Sequence, residues 1–137
     1  KNIHDHVFAS FGSITRPPDL KSGPVSVLIQ SGGYGNSMVI QCNAAGIGFR
    51  FLVASGGESD IKATEIIDAF VDDPGTQVIL AYLEGLNDGR AFMASAKRAL
   101  AAGKPVLAIN TITWWHALRT NGIPDRMDGF GSLMREH

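Results

Sequence analysis

The sequence predicts an α/β fold with three layers: a mostly parallel sheet covered by helices on both faces. Three observations lead there. Short apolar runs of strand length recur four times, and each of the first three is followed by a segment with helical spacing. The runs are apolar nearly throughout, as strands buried on both faces are. Each helical segment is long enough to serve as a crossover, which makes the sheet parallel and the connections right-handed.

The first run, Val25-Ser-Val-Leu-Ile-Gln30, predicts a strand over 25–30, and Ser31-Gly-Gly-Tyr-Gly-Asn-Ser37 follows at once. A helix beginning in this glycine turn would point unpaired backbone N–H groups, and the positive end of its dipole, above the strand, an arrangement suited to a phosphate or carboxylate. A plain strand-to-helix turn satisfies the same residues equally well. Met38, Val39, Cys42 and Ala45 predict a helix over 34–45, ended by Gly46.

Phe49–Ala54 predicts the second strand, and Ser55-Gly-Gly-Glu-Ser-Asp60 a second polar loop on the same rim. Ala63, Ile66, Ile67 and Phe70 give an apolar stripe to a helix over 61–72, with Ser59 or Asp60 as its cap. Asp72-Asp-Pro-Gly75 is a turn, and its acid pair fits a solvated turn better than a metal site. Gln77–Leu83 is the third strand and residues 84–89 a third rim loop. A helix over 88–102 turns Phe92, Ala96, Ala99 and Leu100 inward, and residues 104–109 form the fourth strand. In such sheets ligands bind beyond the carboxyl ends of the strands, where the strand order reverses.

Residues 1–24 hold two proline- and glycine-containing clusters and predict an arm with a short strand at 6–9, laid against a single domain over 25–137. His4 and His6 alternate without further ligand types nearby, so no metal site is expected. Composition is globular, with 45% hydrophobic and 18% charged residues among 137. Twelve basic and thirteen acidic side chains nearly cancel, which gives nucleic acid no basic surface to bind. A single cysteine, Cys42, excludes an internal disulfide and fits a small core residue. No apolar run has the length of a membrane span. The expectation is a cytoplasmic protein that engages neither nucleic acid nor membrane.

Several segments, taken in order, carry a family resemblance. Gly23-Pro-Val-Ser-Val-Leu-Ile-Gln-Ser-Gly-Gly, Ala45-Gly-Ile-Gly-Phe, Ser55-Gly-Gly-Glu-Ser-Asp, Asp72-Asp-Pro-Gly-Thr, Tyr82-Leu-Glu-Gly and Gly103-Lys-Pro-Val are similar to the flavodoxin-like second domain of NDP-forming acyl-CoA synthetases, such as the succinyl-CoA synthetase α chain. The similarity covers roughly residues 5 to 109. It implies a flavodoxin-like fold in which Gln30, Ser31, Gly32 and Gly33 face the phosphate of a phosphohistidine. It also implies that Glu84 orients that histidine, since a carboxylate on one imidazole nitrogen fixes the tautomer and makes the other a better nucleophile. Glu58 and Asp60 match an acidic loop on the same rim, with no role assigned.

The chain departs from the family after Pro105. The glycine-rich stretch and phosphorylated histidine expected near position 124 are replaced by Asn110-Thr-Ile-Thr-Trp-Trp-His-Ala-Leu-Arg119 and a divergent tail to residue 137. His116 is the nearest histidine, but it comes early and lacks small neighbours; Trp114, Trp115, Ala117 and Leu118 fit a short amphipathic helix better. The chain is too short to contain the family's CoA-binding domain or ATP-grasp module. The resemblance thus implies a domain inactive as a ligase alone, with phosphate, CoA or nucleotide as ligands by resemblance only, and a CoA-binding or ATP-grasp partner chain. The paired tryptophans, if uncovered, suggest a homodimer. Two other readings rest on the residues alone. A flavodoxin-type flavin site would use 31–37, with Tyr34, Trp114 and Trp115 beside the ring. A serine hydrolase would use Ser31, but Ile29 stands where Gly-x-Ser-x-Gly needs glycine.

Overall fold

The computed structural model describes residues 1–7, 9 and 20–137. Its order is β1 (Ser22–Ile29), α1 (Gly32–Ala44), β2 (Phe49–Ala54), α2 (Ala63–Asp72), β3 (Val78–Tyr82), α3 (Gly89–Ala101), β4 (Val106–Ala108), α4 (Ile109–Thr120) and α5 (Ser132–Glu136). The four strands form one parallel sheet in the order β2-β1-β3-β4. The α/β architecture is therefore the one expected, with strand order reversing between β1 and β3.

Alternation along the strands sends side chains to two cores. Val27 and Ile29 of β1 pack with Val39 of α1, Phe49 and Ile3, joined by Met38, Cys42, Leu80 and Tyr82. Leu28 and Ile79 point the other way, into Ala63, Ile66, Ile67 and Phe70 of α2 and Ala99 of α3. A parallel sheet needs both faces covered, and these clusters cover them. Cys42 belongs to the first cluster, and burial pushes its thiol pKa up. The α2 stripe is buried as expected. In α3 the buried residues are Ser95 and Ala99, while Leu100 is 67% exposed. Leu100 was expected inside, but the sheet-facing stripe runs 92, 95, 96, 99, which turns it away.

Helix ends follow local chemistry. α1 closes in a Schellman motif: Gly46, at φ +88°, donates to Asn43, and Ile47 donates to Cys42. Asp88 caps α3 through Ala91 N–H at 2.9 Å. At α2 the expected cap is displaced. Ser59 and Asp60 lie outside the helix, Lys62 holds the N-cap position, and the free N–H groups go to two glutamates. Glu65 accepts from Lys62 N–H at 2.9 Å, and Glu58 accepts from Ala63 N–H at 3.1 Å.

At the amino-terminal edge of the sheet the acid pair expected to be a solvated turn is paired with arginines. Arg50 of β2 grips Asp73 with Nη2 at 2.9 Å and Nε at 3.1 Å, and Thr76 Oγ1 donates to Asp73 at 2.8 Å. Thr76 also bonds buried Ser26 at 2.7 Å. Asp72 pairs with Arg98 of α3. Lys104 Nζ donates to the carbonyls of Val71 and Asp73 at 2.7 and 2.6 Å, satisfying the end of α2.

The amino-terminal arm meets β2 through residues 1–3, and the strand expected over 6–9 includes a residue outside those described. Ile3 N–H donates to Arg50 O, Leu52 N–H to Lys1 O, and Asn2 bridges Val7 and Phe51. Residue 8 lies outside the described residues, and Ala9 joins no ladder. Beyond β4 the chain turns directly into α4, a helix of 12 residues with none fully buried. Trp115 is half-buried, while Trp114 is 58% exposed. Arg119 ties the tail down by donating to the carbonyls of Ile123, Asp125 and His137.

Candidate functional site

The rim at the reversal between β1 and β3 is built by one side chain. Gln30 follows the last residue of β1, and its backbone N–H continues the ladder to Tyr82 O at 3.0 Å. Its carboxamide then reaches both neighbouring loops. Oε1 accepts from Glu84 N–H at 2.5 Å and from Gly85 N–H at 3.0 Å. Nε2 donates to Gly85 O at 2.9 Å and to Glu58 Oε1 at 2.6 Å. The two N–H groups on one side, and a carbonyl and a carboxylate on the other, fix which end is oxygen. Two acceptor sites and two hydrogens are all used. Gln30, expected to face a phosphate directly, has no hydrogen left for one.

Ser31, next in the chain, is the N-cap of α1, and its Oγ accepts from Tyr34 N–H at a long 3.5 Å. The helix thus begins two residues before the predicted start, so that Gly32 and Gly33 are its first two residues. Their N–H groups have no acceptor within the helix. A Cβ at Gly32 or Gly33 would meet nothing within 4 Å, so the space above this turn is open. Gly35 differs. A Cβ there would lie 3.0 Å from Ile29 Cδ1, so this glycine lets the helix start seat closely on the strand. Tyr34 and Tyr82 stack with ring centroids 4.5 Å apart, a second tie between the start of α1 and the end of β3.

Two of the helix N-termini on this rim, those of α1 and α2, are electrostatically unlike. At α2, Glu58 puts its carboxylate on Ala63 N–H and so occupies the positive end of the dipole. It does so from a left-handed backbone, φ +54°, a conformation a glutamate adopts only when held there. α1 has no acidic residue in its first turn. Beside Glu58 a cavity of about 370 Å³ is lined by Ala54, Ser55, Gly57, Asp60 and Ile66. Ser55 Oγ is buried with no hydrogen-bond partner among the described residues. Asp60 is exposed.

Glu84 is exposed, on the loop that Gln30 holds against the β1 end. It does not cap α3, a position taken by Asp88. His116 lies mid-way along α4, exposed, with Nε2 3.5 Å from Thr120 Oγ1. Ser31, the nucleophile of a hydrolase reading, is engaged as a helix cap. No group of three or more His, Cys, Asp or Glu residues suited to a metal occurs among the described residues. No described helix is long and apolar enough to cross a membrane. The sequence points to Glu58 but not to its work; its spacing five residues before Ala63 carries no standard capping signature.

A four-stranded parallel sheet of order 2-1-3-4, with its glycine turn and acidic loops at the reversal, defines a doubly wound α/β domain. Comparison with known sequences narrows this. The family described as "Succinyl-CoA ligase like flavodoxin domain" matches residues 22–113, and the chain belongs to that family. The chain is 36% identical over 101 residues to the acetate–CoA ligase [ADP-forming] I subunit alpha of Pyrococcus furiosus, covering 74% of this chain and 21% of that protein. It is 33% identical over 110 residues to the acetate–CoA ligase [ADP-forming] of Methanocaldococcus jannaschii, covering 80% of this chain and 15% of that one. Among solved structures, the acetyl-coenzyme A synthetase 1 of Ca. Korarchaeum cryptofilum in complex with phosphate and ADP superposes with a TM-score of 0.61 at 34% identity, over 68% of this chain and 20% of its own. This is an NDP-forming acyl-CoA synthetase-like domain, spanning 15% to 21% of the length of these relatives.

Proposed function

We propose that this domain supplies one half of a phosphohistidine site in NDP-forming acyl-CoA synthesis. Ser31, Gly32 and Gly33 receive the phosphate at the start of α1, and Glu84 hydrogen-bonds the imidazole that carries it. The observation that carries the reading is the Gln30 carboxamide. It ties the Glu84 backbone to the residue preceding the α1 cap, so that the orienting acid and the unpaired N–H groups share one corner of the rim. Geometry supports an ion there and not at α2, whose N-terminus Glu58 already occupies.

The histidine comes from outside the described rim. His116, on the solvent side of α4, lies in a helix flanked by Trp115 and Ala117, without the turn that would carry it to the phosphate. The domain alone then binds and orients but does not ligate. Acid activation, CoA and nucleotide belong to CoA-binding and ATP-grasp partner chains, in the cytoplasm where those substrates are held. Trp114 and Phe130, 58% and 62% exposed, give the tail an apolar surface that supports a homodimer.

A titration tests the reading. A Gly-phosphohistidine-Ala peptide added to the labelled chain should shift the amide resonances of Gly32 and Gly33 in a saturable way, and E84Q should weaken the binding. Shifts confined to other amides would refute it.

A further inference from the structure

We propose that Gln30 is the positioning residue of this site: its carboxamide sets where Glu84 stands relative to the α1 N-terminus, and Glu58 acts as the anchor for that carboxamide. The proposal rests on the reading of Glu84 as the imidazole-orienting acid; to the Gln30 tie which that reading uses it adds a positioning role for the carboxamide and an anchoring role for Glu58.

The argument is one of constraint. Glu84 lies on an exposed loop, and its position is not fixed by burial. What holds it is the pair of bonds from Glu84 and Gly85 N–H to Gln30 Oε1, at 2.5 and 3.0 Å, closed by Gly85 O on Nε2 at 2.9 Å. Those three bonds leave one hydrogen of the carboxamide. Glu58 Oε1 engages it at 2.6 Å, a charge-assisted bond, while Glu58 Oε2 is itself fixed on Ala63 N–H at the start of α2. The chain of contacts therefore runs from a rigid helix start, through Glu58 and Gln30, to the backbone under Glu84. Gln30 is also bonded to Ser31, so the same side chain references Glu84 to α1. The left-handed backbone of Glu58 fits this role, since strain of that kind persists where surrounding contacts over-determine it.

The test uses the intact chain and two readouts. Amide hydrogen exchange reads the loop directly: in Q30M, an apolar side chain of similar length, exchange at Glu84 and Gly85 should quicken about tenfold while core amides of β1 and β3 keep their protection. The second readout is binding of the Gly-phosphohistidine-Ala peptide. Q30M should weaken it about as much as E84A, and the Q30M/E84A pair should be no worse than either alone, the signature of two residues acting as one. Charge exchange separates positioning from mere stability. Q30E places two carboxylates face to face and should loosen the loop; adding E58Q restores a donor to the pair and should recover protection at Glu84. Unchanged exchange at Glu84 and Gly85 in Q30M, or additive losses in the double variant, would overturn the proposal. Should Q30M fail to fold, Q30E against Q30E/E58Q decides by the same amides. Absence of peptide binding by the unaltered chain would refute the phosphohistidine reading instead, and the exchange arms would still decide the role of Gln30.

Discussion

Arg50 and Asp73 meet side on at the amino-terminal edge of the sheet, with Nη2 2.9 Å from Oδ1 and Nε 3.1 Å from Oδ2, and only 17% and 13% of the two side chains exposed. The pair joins β2 to the turn that ends α2, on the edge opposite the candidate site. Burial works to raise the Asp73 carboxyl, but hydrogen bonds from Arg50 and Thr76 outweigh it and hold the pKa below the usual range. A carboxyl depressed in the folded state adds stability above its unfolded pKa and loses it as pH falls through the folded value. Asp73→Asn should therefore cost about 2–3 kcal/mol near neutral pH, since it strands a half-buried guanidinium. The gap between variant and parent should close as pH drops below about 4. Urea unfolding at several pH values measures it; a cost unchanged at low pH would mean that the pair contributes through packing alone.

Gly33 and Gly35 sit two residues apart in the same helix start and should respond oppositely. A Cβ at Gly33 enters open space, while one at Gly35 lies 3.0 Å from the buried Ile29 side chain. Gly35→Val should destabilise by about 2 kcal/mol by forcing α1 off the strand. Gly33→Ala should leave thermal stability unchanged or raise it by about 0.5 kcal/mol through helix propensity. The same Gly33→Ala should weaken phosphohistidine-peptide binding, because its methyl occupies the space a phosphate needs. Stable protein with undiminished binding would remove the ion from this turn.

The contrast between these glycines also shows what a sequence conveys. The four strands and their helices were legible because burial on both faces leaves an uninterrupted apolar run, and crossovers leave a 3.6-residue period. Val25–Ile29 and Ala63–Phe70 carry those patterns plainly. The glycine turn was legible as a class, but Gly35 as a packing residue and Gly33 as an open one look the same in sequence. The bonds made by Gln30, Glu58 and Asp73 escape a sequence reading for a common reason. Each acts through a side chain that reaches a residue at least 23 positions away, 54 in the case of Gln30 and Glu84, and no local period records such a bond. Leu100 was misplaced because a stripe read at one-turn spacing allows either of two neighbouring rows.

Lys104 offers a third test, at the junction of the two helices on one face. Its Nζ bonds the carbonyls of Val71 and Asp73 at the end of α2, the second of which also accepts from Thr76 N–H. Lys104→Met keeps most of the apolar stem and removes the donor, so it should cost about 1–2 kcal/mol. Lys104→Arg should recover part of this, since guanidinium hydrogens reach carbonyls in a different geometry. Chemical denaturation of the three proteins would decide, and equal stability of parent and Lys104→Met would show that water serves those carbonyls as well.

His116 gives the last and most direct test. It is exposed on α4, within hydrogen-bond reach only of Thr120 among the described residues, and its ring lies 6.5 Å from that of Trp115. Nothing in this setting resembles a turn that could swing an imidazole between two sites, because α4 fixes it by backbone hydrogen bonds on both sides. Incubation of the chain with labelled acetyl phosphate should leave His116 unlabelled, and His116→Asn should bind the phosphohistidine peptide as the parent does. Acid-labile label on His116, lost in the variant, would make it the phosphate-carrying histidine. It would then require α4 to unwind at its middle, a change that amide exchange at residues 113–117 would register.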